Sequence, residues 1–203
     1  WTELTITGQS AHAGTTPMAL RHDAGYAAAR IATFVRELAS DLGPPQVGTV
    51  GQIALFPGLV NVIAASATLT VDLRHTDDAI LQQAEARLRQ FIDQLAATEG
   101  VQIRSRVLAR FAPVAFDPRM VALVEQTAAR LGARSQRLPS GAGHDAQMMA
   151  RLCPTGMIFT PSRHGISHNP AEYTAPDALI LGANTLLQVL LTLATQDAVL
   201  SSQ

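Results

Sequence analysis

The chain has 203 residues, 47% of them hydrophobic and 15% charged. That length fits one large domain or two small ones, and the composition excludes a disordered chain. The formal net charge is −1, from 15 basic and 16 acidic residues, so the charge balance points to neither a nucleic acid nor an anionic membrane. Every basic residue is arginine; this stretch therefore holds no Schiff-base lysine and no phosphate-loop lysine. The single cysteine, Cys153, rules out a disulfide within the chain and a cysteine-rich zinc cluster, and it agrees with a reducing, cytosolic compartment. The first residue is Trp1 and no charged-then-apolar leader follows, which suggests a processed or partial polypeptide.

Thr2 to Thr7 alternates, placing Leu4 and Ile6 on one face of a strand. Gly8 to Thr16 is a loop of small residues, and Pro17 suits a first helical turn. A helix is predicted from Met18 to Leu42, with Ala24, Ala27, Ala28, Ile31, Val35 and Leu38 on one face and Gly43-Pro44-Pro45 as its stop. Strands are predicted over Val47–Phe56 and Ala67–Arg74, then a helix over 78–98 ended by Gly100, then a strand over Val101–Leu108. The order strand–helix–strand–strand–helix–strand is a split βαβ unit: a four-stranded antiparallel sheet with two helices on one face, filling residues 1–110.

Residues 111–203 read differently. Asp117 and Pro118 open a helix that runs to Leu131. Short strands are predicted at Ser135–Leu138 and Met157–Thr160, and a short helix at Asp145–Leu152. The apolar stretch Ala178–Ala194, interrupted by Asn184 and Gln188, is too short for a membrane span and predicts a largely buried C-terminal helix. Helices with so little sheet to cover imply that the sheet lies in sequence outside this chain.

Four polar groupings carry chemistry. His12 lies in Gly8–Pro17, where an imidazole among small residues is open to a ligand and can donate to a developing oxyanion. The plain alternative is a loop histidine in a capping turn. Asn61 follows a Pro-Gly turn and Arg74 ends a strand. An arginine fork binds carboxylate in a bidentate manner and an amide adds a donor; the plain alternative pairs Arg74 with Asp72 or Asp77. Ser140-Gly141-Ala142-Gly143-His144-Asp145 is a glycine-rich loop before a helix start, or a flexible connector. Gly165 to Glu172 holds His168, a candidate metal ligand, although one imidazole falls short of a catalytic metal site.

Taken together, G-Q-S-A-H-A-G-T-T-P-M at 8–18, N-V-I at 61–63, D-L-R-H-T-D at 72–77, S-G-A-G-H-D-A at 140–146 and G-I-S-H-N-P-A-E-Y at 165–173 resemble, in order, the C-terminal half of a known family. It is the family of metal-dependent amidohydrolases that includes allantoate amidohydrolase and N-carbamoyl-L-amino-acid hydrolase. The resemblance implies an α/β metallohydrolase domain interrupted by a lid, or dimerisation, domain. Residues 1–110 would be that lid, and residues 111–203 the returning catalytic segment, its companion segment absent here. It implies two divalent ions, zinc or manganese, of whose ligands only His168 falls in this chain. It implies His12 as an oxyanion donor to the partner subunit of a homodimer, Asn61 and Arg74 as a clamp on the substrate carboxylate, and Gly143 and His144 as substrate contacts. Hydrolysis of the ureido C–N bond of N-carbamoyl-L-amino acids or allantoate follows as the expected reaction. Ala64 and Ala65 stand where many relatives have Pro and Gly, and His164 matches no family position.

Two other readings stay open. A related aminoacylase or dipeptidase would cleave other amides, and a non-catalytic dimerisation module would cleave nothing. RNA recognition on a split βαβ sheet needs stacking aromatics and a basic surface, and aromatics make up 4% of the chain.

Overall fold

The alternation in the first strand decides where the core lies. Leu4 and Ile6 leave one face of β1 (Thr2–Thr7), and neither exposes any surface. The computed structural model describes residues 1–195. They divide into two compact units, Trp1–Pro113 and a second beginning at Val114.

In the first unit β1 is followed by α1 (Ala24–Leu42), β2 (Val47–Phe56), β3 (Ser66–Arg74), α2 (Asp78–Glu99) and β4 (Gln102–Val107). The strands form one antiparallel sheet in the order β2-β3-β1-β4, the split βαβ arrangement predicted from sequence. Ala67, Leu69 and Val71 of β3 join Leu4 and Ile6 on the face that α1 and α2 cover. The α1 residues buried there are Ala24, Ala27, Ala28, Ile31, Val35 and Leu38, the same set that the helical spacing selects. Phe34 and Phe91 stack at 4.0 Å and join the two helices.

The predicted start of α1 needs correcting. Pro17 opens only a single 3-10 turn, Met18–Leu20, after which Arg21 and Asp23 are extended. The helix begins at Ala24 because the Asp23 carboxylate accepts the Gly25 and Tyr26 amides. This break returns the chain to the sheet: the Gln9 amide donates to the His22 carbonyl at 2.9 Å. A Cβ at Gly8 would lie 2.1 Å from that carbonyl oxygen, so the close approach requires glycine.

The second unit contains α3 (Pro118–Arg130), the single turn α4 (Ala146–Met149) and α5 (Pro176–Thr195). The strands predicted at 135–138 and 157–160 are irregular chain instead; among the described residues no neighbouring strand is there to pair with them. The C-terminal helix also differs from expectation. It is 20 residues long and its most apolar 18-residue stretch has mean hydropathy 1.7, enough in length and composition to cross a membrane. It is mostly exposed rather than buried, with Thr185 and Val189 its buried residues. Leu179, Ile180, Leu186, Leu187, Leu190 and Leu191 are each half or more exposed, because α3 covers only one side of it.

The start of α3 follows the sequence closely. The Asp117 carboxylate accepts the Arg119 and Met120 amides, and Pro118 follows it. The Arg119 guanidinium, with those two amides, lowers the Asp117 carboxyl from the usual 3.8 to about 2. A depressed folded-state value means that the charged cap stabilises fully above about pH 3.8 and is lost as the pH falls through about 2. Asp117→Asn, whose amide does not titrate, is expected to show a flatter loss of α3 helicity across that window in an acid titration followed by circular dichroism. Superimposable acid profiles for the two proteins would contradict this account of the cap.

Candidate functional site

His12 is held by an extension of the sheet. Beyond β1 and ahead of β3 the two chains stay antiparallel: His12 bridges Val62, the Ile63 amide donates to the Ala11 carbonyl at 2.9 Å, and the Ala13 amide donates to the Asn61 carbonyl at 2.9 Å. His12 and Asn61 therefore lie on adjacent rungs, both exposed, at one end of the sheet.

The His12 ring has a defined hydrogen-bonding role. Its Nδ1 accepts the Gly14 amide at 3.0 Å. An accepting Nδ1 carries no proton, so the neutral ring carries its proton on Nε2 and offers that N–H as a donor. His144 repeats the arrangement in the second unit, its Nδ1 accepting the Ala146 amide at 3.0 Å.

Arg74 lies elsewhere. It pairs with Val47 at the far end of the β2–β3 hairpin, whereas Phe56 and Ser66 pair at the end next to Asn61. From Ser66 to Arg74 the strand advances about 26 Å at roughly 3.3 Å per residue. Asn61 and Arg74, the residues expected to clamp the substrate carboxylate, therefore lie at opposite ends of the sheet within this chain.

Arg74 is fixed where it stands. Its Nε donates to Asp72 Oδ1 at 2.9 Å and its Nη2 to Asp72 Oδ2 at 2.6 Å, since residues two apart on a strand share a face. The hydrogen bond to Asp72 raises the guanidinium above its ordinary value, keeping it charged at any working pH. Its guanidinium carbon stands 5.7 Å from the centre of the Trp1 ring. Buried Gln46 donates from Nε2 to the Arg74 carbonyl at 3.1 Å. The pairing with Asp72 was the plain alternative in the sequence; the stacking on Trp1 had no sequence signal.

In the second unit Gly143 and His144 are exposed in the loop before α4, and a Cβ at Gly143 would meet nothing within 4 Å. Packing does not require that glycine. His168 is exposed and takes a left-handed backbone conformation, φ 56°, unusual for a residue with a Cβ. The Glu172 carboxylate holds it by accepting the His168 amide at 2.8 Å. His164 is left-handed too, φ 60°. The segment is closed where the Arg163 amide donates to the Tyr173 carbonyl at 2.8 Å and the Arg163 guanidinium covers the Tyr173 ring at 4.8 Å.

Among the described residues no three His, Cys, Asp or Glu side chains converge on a point that could hold a metal ion. His168 is a single imidazole donor, short of the three protein ligands of a catalytic metal. The donor set of the described residues does not make up a complete metal centre.

Residues 42–192 match the model of peptidase family M20/M25/M40, and the chain belongs to that family. It is 39% identical over 194 residues to an N-carbamoyl-L-amino-acid amidohydrolase of Rhizobium meliloti, covering 96% of this chain and 47% of that one. It is 41% identical over 197 residues to the allantoate amidohydrolase of Escherichia coli strain K12, covering 95% and 47%. The crystal structure of an amidase of the hydantoinase/carbamoylase family from Burkholderia vietnamiensis superposes with a TM-score of 0.92 at 42% identity, covering 95% of this chain and 46% of that one. The chain thus spans about half the length of the curated relatives it matches.

Ring nitrogen NMR of the 203-residue chain at neutral pH is expected to show His12 and His144 each as a single Nε2–H tautomer. Rapid averaging of both ring nitrogens at His12 would contradict the Gly14 contact.

Proposed function

We propose that this chain is the lid and the returning catalytic segment of an amidohydrolase that cleaves the ureido C–N bond of N-carbamoyl-L-amino acids or allantoate. The observation that carries the reading is the exposed His12 ring, its Nδ1 occupied by the Gly14 amide and its Nε2 left to donate, one rung from Asn61. As an Nε2–H donor His12 stabilises the negative charge that develops on the ureido oxygen, the kind of interaction that counts most in acyl-group hydrolysis. Arg74, preset by Asp72, binds the substrate carboxylate, and Gly143 and His144 contact the substrate from the second unit. His168 donates one ligand to a metal site whose other ligands lie outside this chain.

Because Arg74 stands at one end of the sheet and His12 with Asn61 at the other, each complete site takes Arg74 from one protomer and the His12–Asn61 pair from its partner. A homodimer through the lid is part of this reading. The two edges of the sheet support it. β4 carries Arg104 and Arg106, which guard an edge against pairing. β2 has no charged residue and leaves Ile53, Leu55 and Phe56 exposed, the character of an edge that pairs with a second copy. The exposed leucines of α5 are assigned to contact with the remainder of the catalytic domain.

Assay of the full-length parent is expected to show hydrolysis of N-carbamoyl-L-amino acids or allantoate in preference to N-acetyl-amino acids. His12→Ala is expected to lower kcat about 100-fold or more with a smaller effect on KM, and Arg74→Ala chiefly to raise KM. Preference for N-acetyl substrates would move the protein to the aminoacylase class, and no turnover of any of the three would leave the non-catalytic reading.

A further inference from the structure

The loop that carries His12 contains a half-buried cation that the mechanism does not use. Arg21 donates from Nε to the Thr16 carbonyl at 3.1 Å and from Nη2 to the Ala13 and Thr16 carbonyls at 2.7 and 3.0 Å. It takes part in none of the ion pairs among the described residues. A guanidinium withdrawn from water is normally matched by a carboxylate; here backbone carbonyls receive it. Both carbonyls belong to the turn that follows His12. Thr16 returns to the His12 carbonyl through its amide at 3.2 Å and its hydroxyl at 2.8 Å, and Ala13 is tied to Asn61. The fork therefore closes the turn that starts at the imidazole.

Arg21 itself issues from fixed chain. Its amide donates to the Met18 carbonyl, the next carbonyl accepts Gln9, and the next side chain, Asp23, caps α1. A planar fork can hold two carbonyls at set angles in a way that an ammonium group on a flexible stem cannot.

We propose that Arg21 is the positioning residue of the proposed oxyanion donor: it transmits the fixed start of α1 to residues 13–16 and so holds His12 with Nδ1 on the Gly14 amide and Nε2–H outward. It touches no substrate and acts through His12, so the inference rests on the role given to His12 above.

The test uses single and double variants of the full-length parent, together with ring nitrogen NMR of the 203-residue chain. Arg21→Ala is expected to lower kcat about tenfold or more, a share of the roughly 100- to 1,000-fold that one oxyanion donor supplies. KM, which reports Arg74, is expected to move less than about twofold. On a His12→Ala background the same change adds no further loss, since the two residues act as one unit. Arg21→Lys restores only part of kcat. In the NMR spectrum Arg21→Ala loses the single Nε2–H tautomer of His12 while the amide signals of β1 and β3 stay in place. Additive losses in the double variant, or an unaltered His12 ring spectrum in Arg21→Ala, would overturn the inference. Should His12→Ala itself leave kcat intact, the reading of His12 as oxyanion donor falls, and the ring spectrum still decides whether Arg21 orders the turn.

Discussion

A β-strand cannot be shortened, and the length of β3 governs how this protein can bind anything. Arg74 closes one end of the strand and the His12–Asn61 pair extends from the other, with about 26 Å of hydrogen-bonded ladder between them. The ladder is backed by a core of Leu4, Ile6, Leu69, Val71 and the apolar faces of two helices, all nearly or fully buried, so the ends do not fold towards each other. Donors placed that far apart serve two different sites or meet through a second copy of the chain. On the proposed reading they meet through a second copy, which makes subunit association part of the catalytic apparatus.

At each end the donors are set before any ligand arrives. Asp72 and Trp1 fix the plane of the Arg74 guanidinium, and the Gly14 amide selects the tautomer of His12. Arg21 adds a brace to the His12 turn. Such presetting reduces the ordering that binding must otherwise impose. His168 is held in a similar way: the Glu172 carboxylate accepts the amide of its left-handed backbone.

The first unit was legible in the sequence because its elements obey local rules. Alternation set the faces of β1 and β3, and helical spacing picked out every buried residue of α1. The start of that helix was missed because Pro17 offered a plausible opening, whereas Asp23 supplied the carboxylate that reaches the free amides. Legibility fell in the second unit, where Asp117 and Pro118 still marked the start of α3 but the short apolar runs near 135 and 157 formed no strands. A strand is completed by its neighbour, and a short run says nothing about whether a neighbour is present. The exposed α5 has the same origin: its composition reports a helix with apolar surroundings, not where those surroundings come from. For the site, motif residues were found singly, but their grouping was not. Nothing local places Asn61 beside His12 and away from Arg74, because that follows from the pairing of distant segments.

Complementation between two impaired parents, assayed at substrate well below KM, tests the two-protomer site most directly. Full-length His12→Ala and Arg74→Ala proteins are mixed, dissociated and allowed to reassociate. Random pairing makes half of the dimers mixed, each with one intact site, so the account predicts recovery to about a quarter of wild-type activity. Activity no greater than the sum of the two variants alone would contradict it.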